Sequence, residues 1–491
     1  MPYYMTNHFV ALSLFLICAV TGRAQGYRIS VQYKAVPNSY LYLGYYFGDK
    51  KYLQDSARIQ PDGSVVFSGT EPLTGGLYIV VDPEKKRFFD LLIDKEQTFS
   101  IRIDTAFALT AVTGSSENNY LEEYKKATNY YFRDYQQWQA QLAAARTKKD
   151  STTIQNKIKS ATEEAQHWRD SFCVAHPESY LSLLFYLMKE PTYRIETART
   201  RQDSLNAYYN YKKQYWENIS FADERLLRTP MFEQRLTRYM EQVVYRHPDS
   251  LKAEVDKFIL YSRSSKTMYR YYVSRFTNEY MNPKYMGLDV VFLHLFEKYY
   301  LTNQVDWLEP KDKELVYNRA YSIMGNIVGE PAAELVLLDT ADTKRNLYGL
   351  QAPYTLLVFW DPDCGHCREQ VPVIDSFYRT EWKQMGLKLV GVLVDTIRSD
   401  KSKWPAVKAN WTRYIREHEL SNWIHLYQSF EMRQEEQKKN LPGFRQTYDV
   451  YQTPTIYLLD KEKRILAKKI NPEQVHDFLK FRQSTLQPNL P

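Results

Sequence analysis

The spacing of apolar positions changes character three times along the chain, and each change marks a different kind of element. Phe9 to Val20 (FVALSLFLICAV) is an unbroken apolar run, too short to cross the roughly 30 Å of bilayer hydrocarbon as a helix. Gly22-Arg23-Ala24 follows, with small residues at the −3 and −1 positions of a cut before Gln25. This layout predicts a secretory signal peptide over residues 1–24, although Met1 to His8 holds no Lys or Arg. A short buried helix is less natural at an extreme N-terminus. Bulky Ile17 argues against Cys18 as a lipoprotein cysteine.

From about Gly26 to Val112 the period is two. Tyr27, Ile29, Val31 and Tyr33 alternate with polar residues, as in a half-buried strand. Pro61-Asp62-Gly63 reads as a turn before Ser64 to Phe67, and Leu77 to Val81, Phe88 to Ile93 and Phe99 to Ile103 read as further short strands. Such a series predicts a small sandwich or barrel. It contains no titratable cluster and reads as a binding or packing module.

From about Glu117 to Met324 the period lengthens to that of a helix. Tyr124, Thr128, Tyr131, Tyr135, Trp138 and Leu142 lie on one helical face. Similar stripes run through Tyr180 to Met188, Met231 to Val244, Leu251 to Tyr261 and Val290 to Tyr300, punctuated by Pro177, Pro191, Pro248 and Pro283. The aromatic stripes read as buried packing surface rather than a ligand groove. Cys173 reads as a small buried hydrophobe and His294 as a satisfied core histidine.

From about Gly329 the pattern becomes α/β. Tyr354 to Trp360 (YTLLVFW) and Leu387 to Val394 (LKLVGVLV) are nearly continuous apolar runs, as expected of strands covered on both faces. Thr455 to Leu459 is a third, with Arg464 to Ile470 as its hairpin partner. Helices are expected from Cys367, near Trp404 and over Pro472 to Arg482. The predicted organisation is a leader over 1–24, an all-β module over 25–112, an all-α region over 113–326 and a C-terminal α/β domain over 327–491. Three modules suit 491 residues at roughly 100–200 residues per domain.

Composition narrows the class. A mean hydropathy of −0.55 excludes a polytopic membrane protein. Lys+Arg minus Asp+Glu is 65 − 58 = +7, with no basic block of the kind that binds nucleic acid. The 42 tyrosines read as amphipathic packing surface. With only 4 cysteines no disulfide scaffold is possible, so the position of each one matters.

Two of them carry the chemistry. Trp360-Asp361-Pro362-Asp363-Cys364-Gly365-His366-Cys367 joins the first apolar strand to a helix. Such a turn places the first sulfur at a helix N-terminus, where unpaired N–H groups and the macrodipole favour a thiolate. Cys364, the more exposed, would attack a substrate, and Cys367, one turn in, would resolve the mixed disulfide. His366, when protonated, would help hold the thiolate, and Gly365 would let the turn close. Thr453-Pro454-Thr455 before a later strand adds the proline expected opposite such a pair. Structural zinc would need two further ligands, but no second CxxC or closely spaced His pair exists, and His418 and His425, seven apart, would have to reach the motif by chance. No cofactor and no metal are expected.

Val358-Phe359-Trp360 through Cys367, then Val371-Pro372 and Thr453-Pro454-Thr455, resemble the thioredoxin-fold oxidoreductases of the TlpA-like type from bacterial envelopes. Met286-Gly287-Leu288-Asp289 through His294 to Tyr300 is similar to the helical region that precedes such domains, and the β region to the module of unknown function that begins them. The resemblance implies a periplasmic thiol–disulfide oxidoreductase acting on protein thiols, with an upstream redox partner in the envelope. It also implies Cys364 as nucleophile, Cys367 as resolving thiol, Pro454 as a cis-proline and Thr453 as a source of backbone groups for a substrate strand.

Two departures stand out: Gln370 occupies the place of a frequent Glu, and Val358 that of the buried acid of thioredoxins. Asp361, Asp363 and Glu369 are the candidate substitutes for the missing proton acceptor. Residues 396–452, with Trp404, Trp411, Trp423 and the charged run Glu431 to Lys439, form an insertion whose charged run reads as a solvated helix face or, alternatively, a lid. Two rival functions stay open. One is an envelope interaction protein with a redox-inactive thioredoxin-like domain, and the other is a metal carrier.

Overall fold

The computed structural model describes residues 26–33, 38–191, 199–395 and 400–486. The leader expected over 1–24, with Cys18, lies outside the described residues. The chain divides into two compact units, Met1–Val243 and Val244–Pro491.

The first unit opens with β1 (Arg28–Tyr33), β2 (Tyr40–Phe47), β3 (Lys50–Arg58), β4 (Ser64–Ser68), β5 (Gly76–Val81), β6 (Phe88–Ile93), β7 (Thr98–Ile103) and β8 (Leu109–Thr113). They form two four-stranded sheets, in the orders β4-β1-β7-β8 and β3-β2-β5-β6. Alternate residues of both sheets meet in one core, with Ile29, Val31 and Ile101 from the first and Leu41, Val80 and Leu91 from the second. This is the sandwich that the period-two pattern predicts. Strand β3 carries no alternating apolar signal, because all nine of its residues are exposed or half-buried on a strand at the sheet edge.

Helices follow from Ser116. Side-chain caps start several of them, Ser115 on Ser116–Tyr131 and Thr147 on Lys148–Ala175. The stripe from Tyr124 to Leu142 is not one buried helical face. The helix breaks after Tyr131 and resumes at Tyr135, and none of the six stripe residues is buried. Tyr180–Met188, by contrast, buries seven of its nine residues. Cys173 is buried and free, with its Sγ 3.9 Å from the Ser182 carbonyl oxygen.

The second unit begins with the helices Pro248–Tyr261, Lys266–Met281, Asp289–Leu295 and Pro310–Met324. His294 is only half-buried rather than a core residue, and it is satisfied by Asp256 Oδ2 at 2.9 Å. Then come β9 (Val336–Asp339), β10 (Lys344–Asn346), β11 (Tyr354–Trp360), β12 (Leu387–Leu393), β13 (Ile424–Tyr427), β14 (Thr455–Leu459) and β15 (Ile465–Lys468). They build one mixed sheet in the order β10-β9-β13-β12-β11-β14-β15. Strands β11, β12 and β13 run parallel, β14 runs antiparallel to β11, and β15 pairs antiparallel with β14 and so shares the direction of β11. With helices on both faces, this is a thioredoxin-like arrangement.

The continuous apolar runs are explained by this placement. Leu356, Val358 and Trp360 point to the face covered by the helices Gly365–Phe377, Trp404–Glu417 and Pro472–Leu486, and Leu357 and Phe359 to the other. Residues 396–452 are not purely an appended insertion, since β13 within them pairs with β12 in the middle of the sheet.

Two buried ion pairs fasten the preceding helices to this sheet. Lys468, at the end of β15, donates to Asp289 and, at 2.7 and 2.8 Å, to the carbonyl and side-chain oxygens of Asn326. Asp449 accepts from both Arg319 and Lys469. Removing one partner of a buried pair leaves an uncompensated charge, which costs about 3–5 kcal/mol. Asp289→Ala should therefore destabilise the second unit by about that much in urea unfolding, whereas the double variant Asp289→Ala/Lys468→Met should recover most of the loss.

Candidate active site

The chain leaves β11 at Trp360, whose indole is fully buried beneath the following loop. Room for it comes from Gly391 on β12, where an added Cβ would stand 2.9 Å from Trp360 Nε1. Asp361 organises the loop. Its carbonyl accepts from Cys364 N–H at 3.1 Å and its Oδ1 accepts from Asp363 N–H at 2.9 Å.

The next helix begins at Gly365, two residues before the expected start at Cys367, with Cys364 in extended conformation as its N-cap. The first sulfur thus sits where the free N–H groups of the first turn converge. Gly365 is not needed for the turn: a Cβ there would meet no atom within 4 Å, and its φ is not positive.

The Thr453–Pro454 peptide is cis. Across from the helix, the Thr453 carbonyl accepts from Cys364 Sγ at 3.2 Å. The structure therefore brings together Cys364, Cys367, Thr453 and Pro454, with Trp360 as the floor. His366 contributes its backbone rather than its ring. The ring is 82% exposed and faces Glu369 at 3.7 Å, while its N–H points at Cys364.

The two thiols, both free, sit in opposite environments. Burial pushes the Cys364 thiol up. It is outweighed by the Thr453 hydroxyl and the N–H groups of Cys367 and His366, which hold the group below the ordinary cysteine value. In the thiol form Sγ–H donates to the Thr453 carbonyl; as a thiolate the same sulfur accepts from these donors. Burial, reinforced by the neighbouring Cys364, pushes Cys367 up to about 12, although the Asp361 backbone N–H opposes it.

Of the three candidate proton acceptors, Asp363 and Glu369 are exposed, and Asp363 pairs with Arg368 and Asn410. Asp361 is 8% exposed, and its carboxyl is raised by burial and by the carboxylates of Asp363 and Asp395. Gln370 is half-buried and Val358 fully buried in the sheet. Neither zinc candidate is placed as a ligand. His425 lies in β13 with Nε2 at 2.9 Å from the Leu420 carbonyl, its pKa lowered by burial to about 4. His418 is exposed and stacks on Tyr414.

Residues not foreseen from the sequence surround the loop. Asp395, just beyond β12, is buried and pairs with Arg433 at 2.6 Å, and its carbonyl accepts from Arg445. Arg433 belongs to the charged run read as a solvated face. Asp395 was findable, because ligands of parallel sheets gather at the carboxyl ends of the strands.

Residues 27–121 match a domain of unknown function and residues 146–324 a second one. Residues 328–468 match the AhpC/TSA family. No curated protein matches the chain. Among solved structures, a thioredoxin-like protein from Bacteroides caccae is similar at 20% identity over 60% of this chain and 98% of its own, with a TM-score of 0.46. A domain of a possible thiol-disulfide isomerase from Cytophaga hutchinsonii is similar at 32% identity over 33% of this chain and 95% of its own, with a TM-score of 0.27. A thiol:disulfide interchange protein from a Bacteroides species is similar at 21% identity over 32% and 91%, with a TM-score of 0.26. Among the described residues, no helix is long and apolar enough to cross a membrane.

The unequal thiols predict a pH signature in alkylation. Only the thiolate reacts, so modification of Cys364 by iodoacetamide should rise with pH and level off below the range of an ordinary cysteine. Cys367 should stay unmodified in the folded protein until pH approaches about 12. Mass spectrometry of the labelled peptides distinguishes the two, and equal labelling would contradict this assignment of environments.

Proposed function

Starting from an AhpC/TSA, thioredoxin-like domain over residues 328–468, we propose that the protein is an exported thiol–disulfide oxidoreductase that exchanges disulfides with protein substrates through Cys364-Gly365-His366-Cys367. The observation that carries this reading is the asymmetry of the pair, a half-exposed low-pKa sulfur at a helix N-cap beside a buried sulfur with a pKa near 12. A structural pair would have no use for such a difference.

In the proposed cycle the Cys364 thiolate attacks one sulfur of a substrate disulfide. A mixed disulfide forms and one substrate thiolate leaves. Ionisation of Cys364 also ends its bond to the Thr453 carbonyl, which becomes available to the substrate chain. Cys367 then loses its proton, attacks Cys364 Sγ and expels the second substrate thiolate. The substrate disulfide gains two electrons and the protein dithiol becomes a disulfide. The reverse sequence oxidises a substrate dithiol, with the direction set by relative potentials.

Asp361 is the proposed acceptor of the Cys367 proton. It is the one buried carboxyl of the three candidates, and its own backbone N–H points at Cys367. The proposed setting is the periplasm, reached through a leader over 1–24, with a redox partner in the envelope. The β module (25–112) and helical region (113–326) precede the reactive domain (327–491).

Cys364→Ser should abolish exchange with a protein disulfide, and Cys367→Ser should accumulate mixed disulfides resolvable on a non-reducing gel. Full activity in Cys364→Ser would overturn the assignment, and no exchange activity in the unsubstituted protein would leave the interaction-protein reading in place instead. Asp361→Asn keeps an acceptor for Asp363 N–H but removes the base. It should slow resolution of the mixed disulfide by about 10²-fold, with little effect on its formation, in stopped-flow measurements.

A further inference from the structure

Along the segment that leads into Thr453-Pro454, within the second unit, lies an open cavity of about 510 Å³, in the size range of ligand-binding clefts. One wall is the helix Pro310–Met324, through Asn318 and Ser322. The other is the segment from Gln428 to Tyr451, which includes the helices Phe430–Lys438 and Phe444–Thr447.

Three features tie this cavity to the reactive sulfur. Val450 and Tyr451 line it and lead directly into Thr453-Pro454. Ser322 and Tyr451 hydroxyls meet at 3.2 Å, joining the two walls. Arg445, also on the wall, binds the carbonyl of Asp395 and acts electrostatically on Asp361, the residue that organises the cysteine loop.

The chemistry of the lining is distinctive. Asn318, Gln437 and Gln446 are exposed to the cavity, and among the described residues their side-chain amides make no hydrogen bond. Each amide both donates and accepts, which suits the alternating N–H and C=O groups of an extended main chain. Phe444 and Val450 add buried apolar surface, and the charged lining residues are already engaged, Arg433 and Arg445 with Asp395 and Glu436 with Gln428.

Distance selects the occupant. Tyr451 lies two residues before Thr453, whose carbonyl is 3.2 Å from Cys364 Sγ. At about 3.5 Å per extended residue, the cavity edge is at most about 10 Å from the sulfur, a span that about three residues of an extended chain bridge. A polypeptide attacked at the sulfur reaches into the cavity of about 510 Å³, which a small disulfide does not fill.

We infer that this cavity is a subsite for the extended, uncharged stretch of substrate polypeptide lying a few residues from the cysteine under attack. The inference rests on the proposed exchange activity and names its substrate class: unfolded or flexible polypeptide rather than low-molecular-weight disulfide. Selection arises because the helical segment and the 428–451 segment present their amides at a fixed offset from Cys364.

The test compares two disulfides in reaction with the full-length reduced protein. Attack on insulin and on bis(2-hydroxyethyl) disulfide is followed in the unsubstituted protein, in Asn318→Ala/Gln446→Ala, and in Gln437→Trp, which fills the cavity from an exposed position. Asn318→Ala/Gln446→Ala should slow attack on insulin by about tenfold, as expected for two lost hydrogen bonds, and Gln437→Trp by at least about as much, because it blocks the cavity. Attack on bis(2-hydroxyethyl) disulfide should change by less than twofold. Unchanged insulin rates in both variants would overturn the subsite. So would an equal loss with both disulfides, which would mean the substitutions act on the sulfur itself. Failure of the unsubstituted protein to attack either disulfide would instead remove the exchange activity on which the subsite depends.

Discussion

Everything at the site depends on the cost of ionising a sulfur away from water. Cys367 sits one turn into a helix under the side chains of the sheet, where a thiolate has few donors and little solvent. Cys364 sits at the N-cap of the same helix, where donors converge. A separation of three residues thus spans a large difference in acidity, and the helix enforces it. The helix in turn is held by its packing on β11 and β12, through Val371 and Ile374 against Leu356, Val358 and Leu389.

The opposite side of the site has a different support. Thr453 and Pro454 end a segment that is anchored by buried polar contacts rather than by apolar packing alone. Asp449 binds Arg319 and Lys469, Tyr451 meets Ser322, and Asn326 donates to the Thr447 carbonyl at 3.1 Å. Three of these partners, Arg319, Ser322 and Asn326, lie on or just after the helix Pro310–Met324. The helices that precede the thioredoxin-like sheet are therefore part of the framework that places Thr453 against Cys364. Such anchors are specific in direction, as buried ion pairs and hydrogen bonds are, and they fail sharply when one partner is removed.

Legibility differed by element for physical reasons. Strands β11, β12 and β14 were readable because burial on both faces demands an unbroken apolar run. The sandwich strands β1, β4 and β7 were readable because a single buried face demands alternation, and β5, buried along five of its six residues, as a short continuous apolar run. Strand β13 escaped notice: four residues, including a buried His425, make too short a signal between two helices. The aromatic stripe from Tyr124 to Leu142 misled in the other direction. Periodicity reports which residues share a face, not whether anything covers that face, and here the helix breaks and the stripe stays half-exposed.

The cysteine motif, its position between a buried strand and a helix, and the Thr-Pro pair were all determined by the order of residues, because local spacing alone puts a sulfur at a helix N-terminus. The rest needed the tertiary structure. Asp361 differs from Asp363 and Glu369 only in burial, which no local pattern encodes. Asp395 meets Arg433 and Arg445 across 38 and 50 residues, and Asp449 meets Arg319 across 130. Charge type is local information, but whether a charge is solvated or paired depends on which distant segment the fold brings beside it.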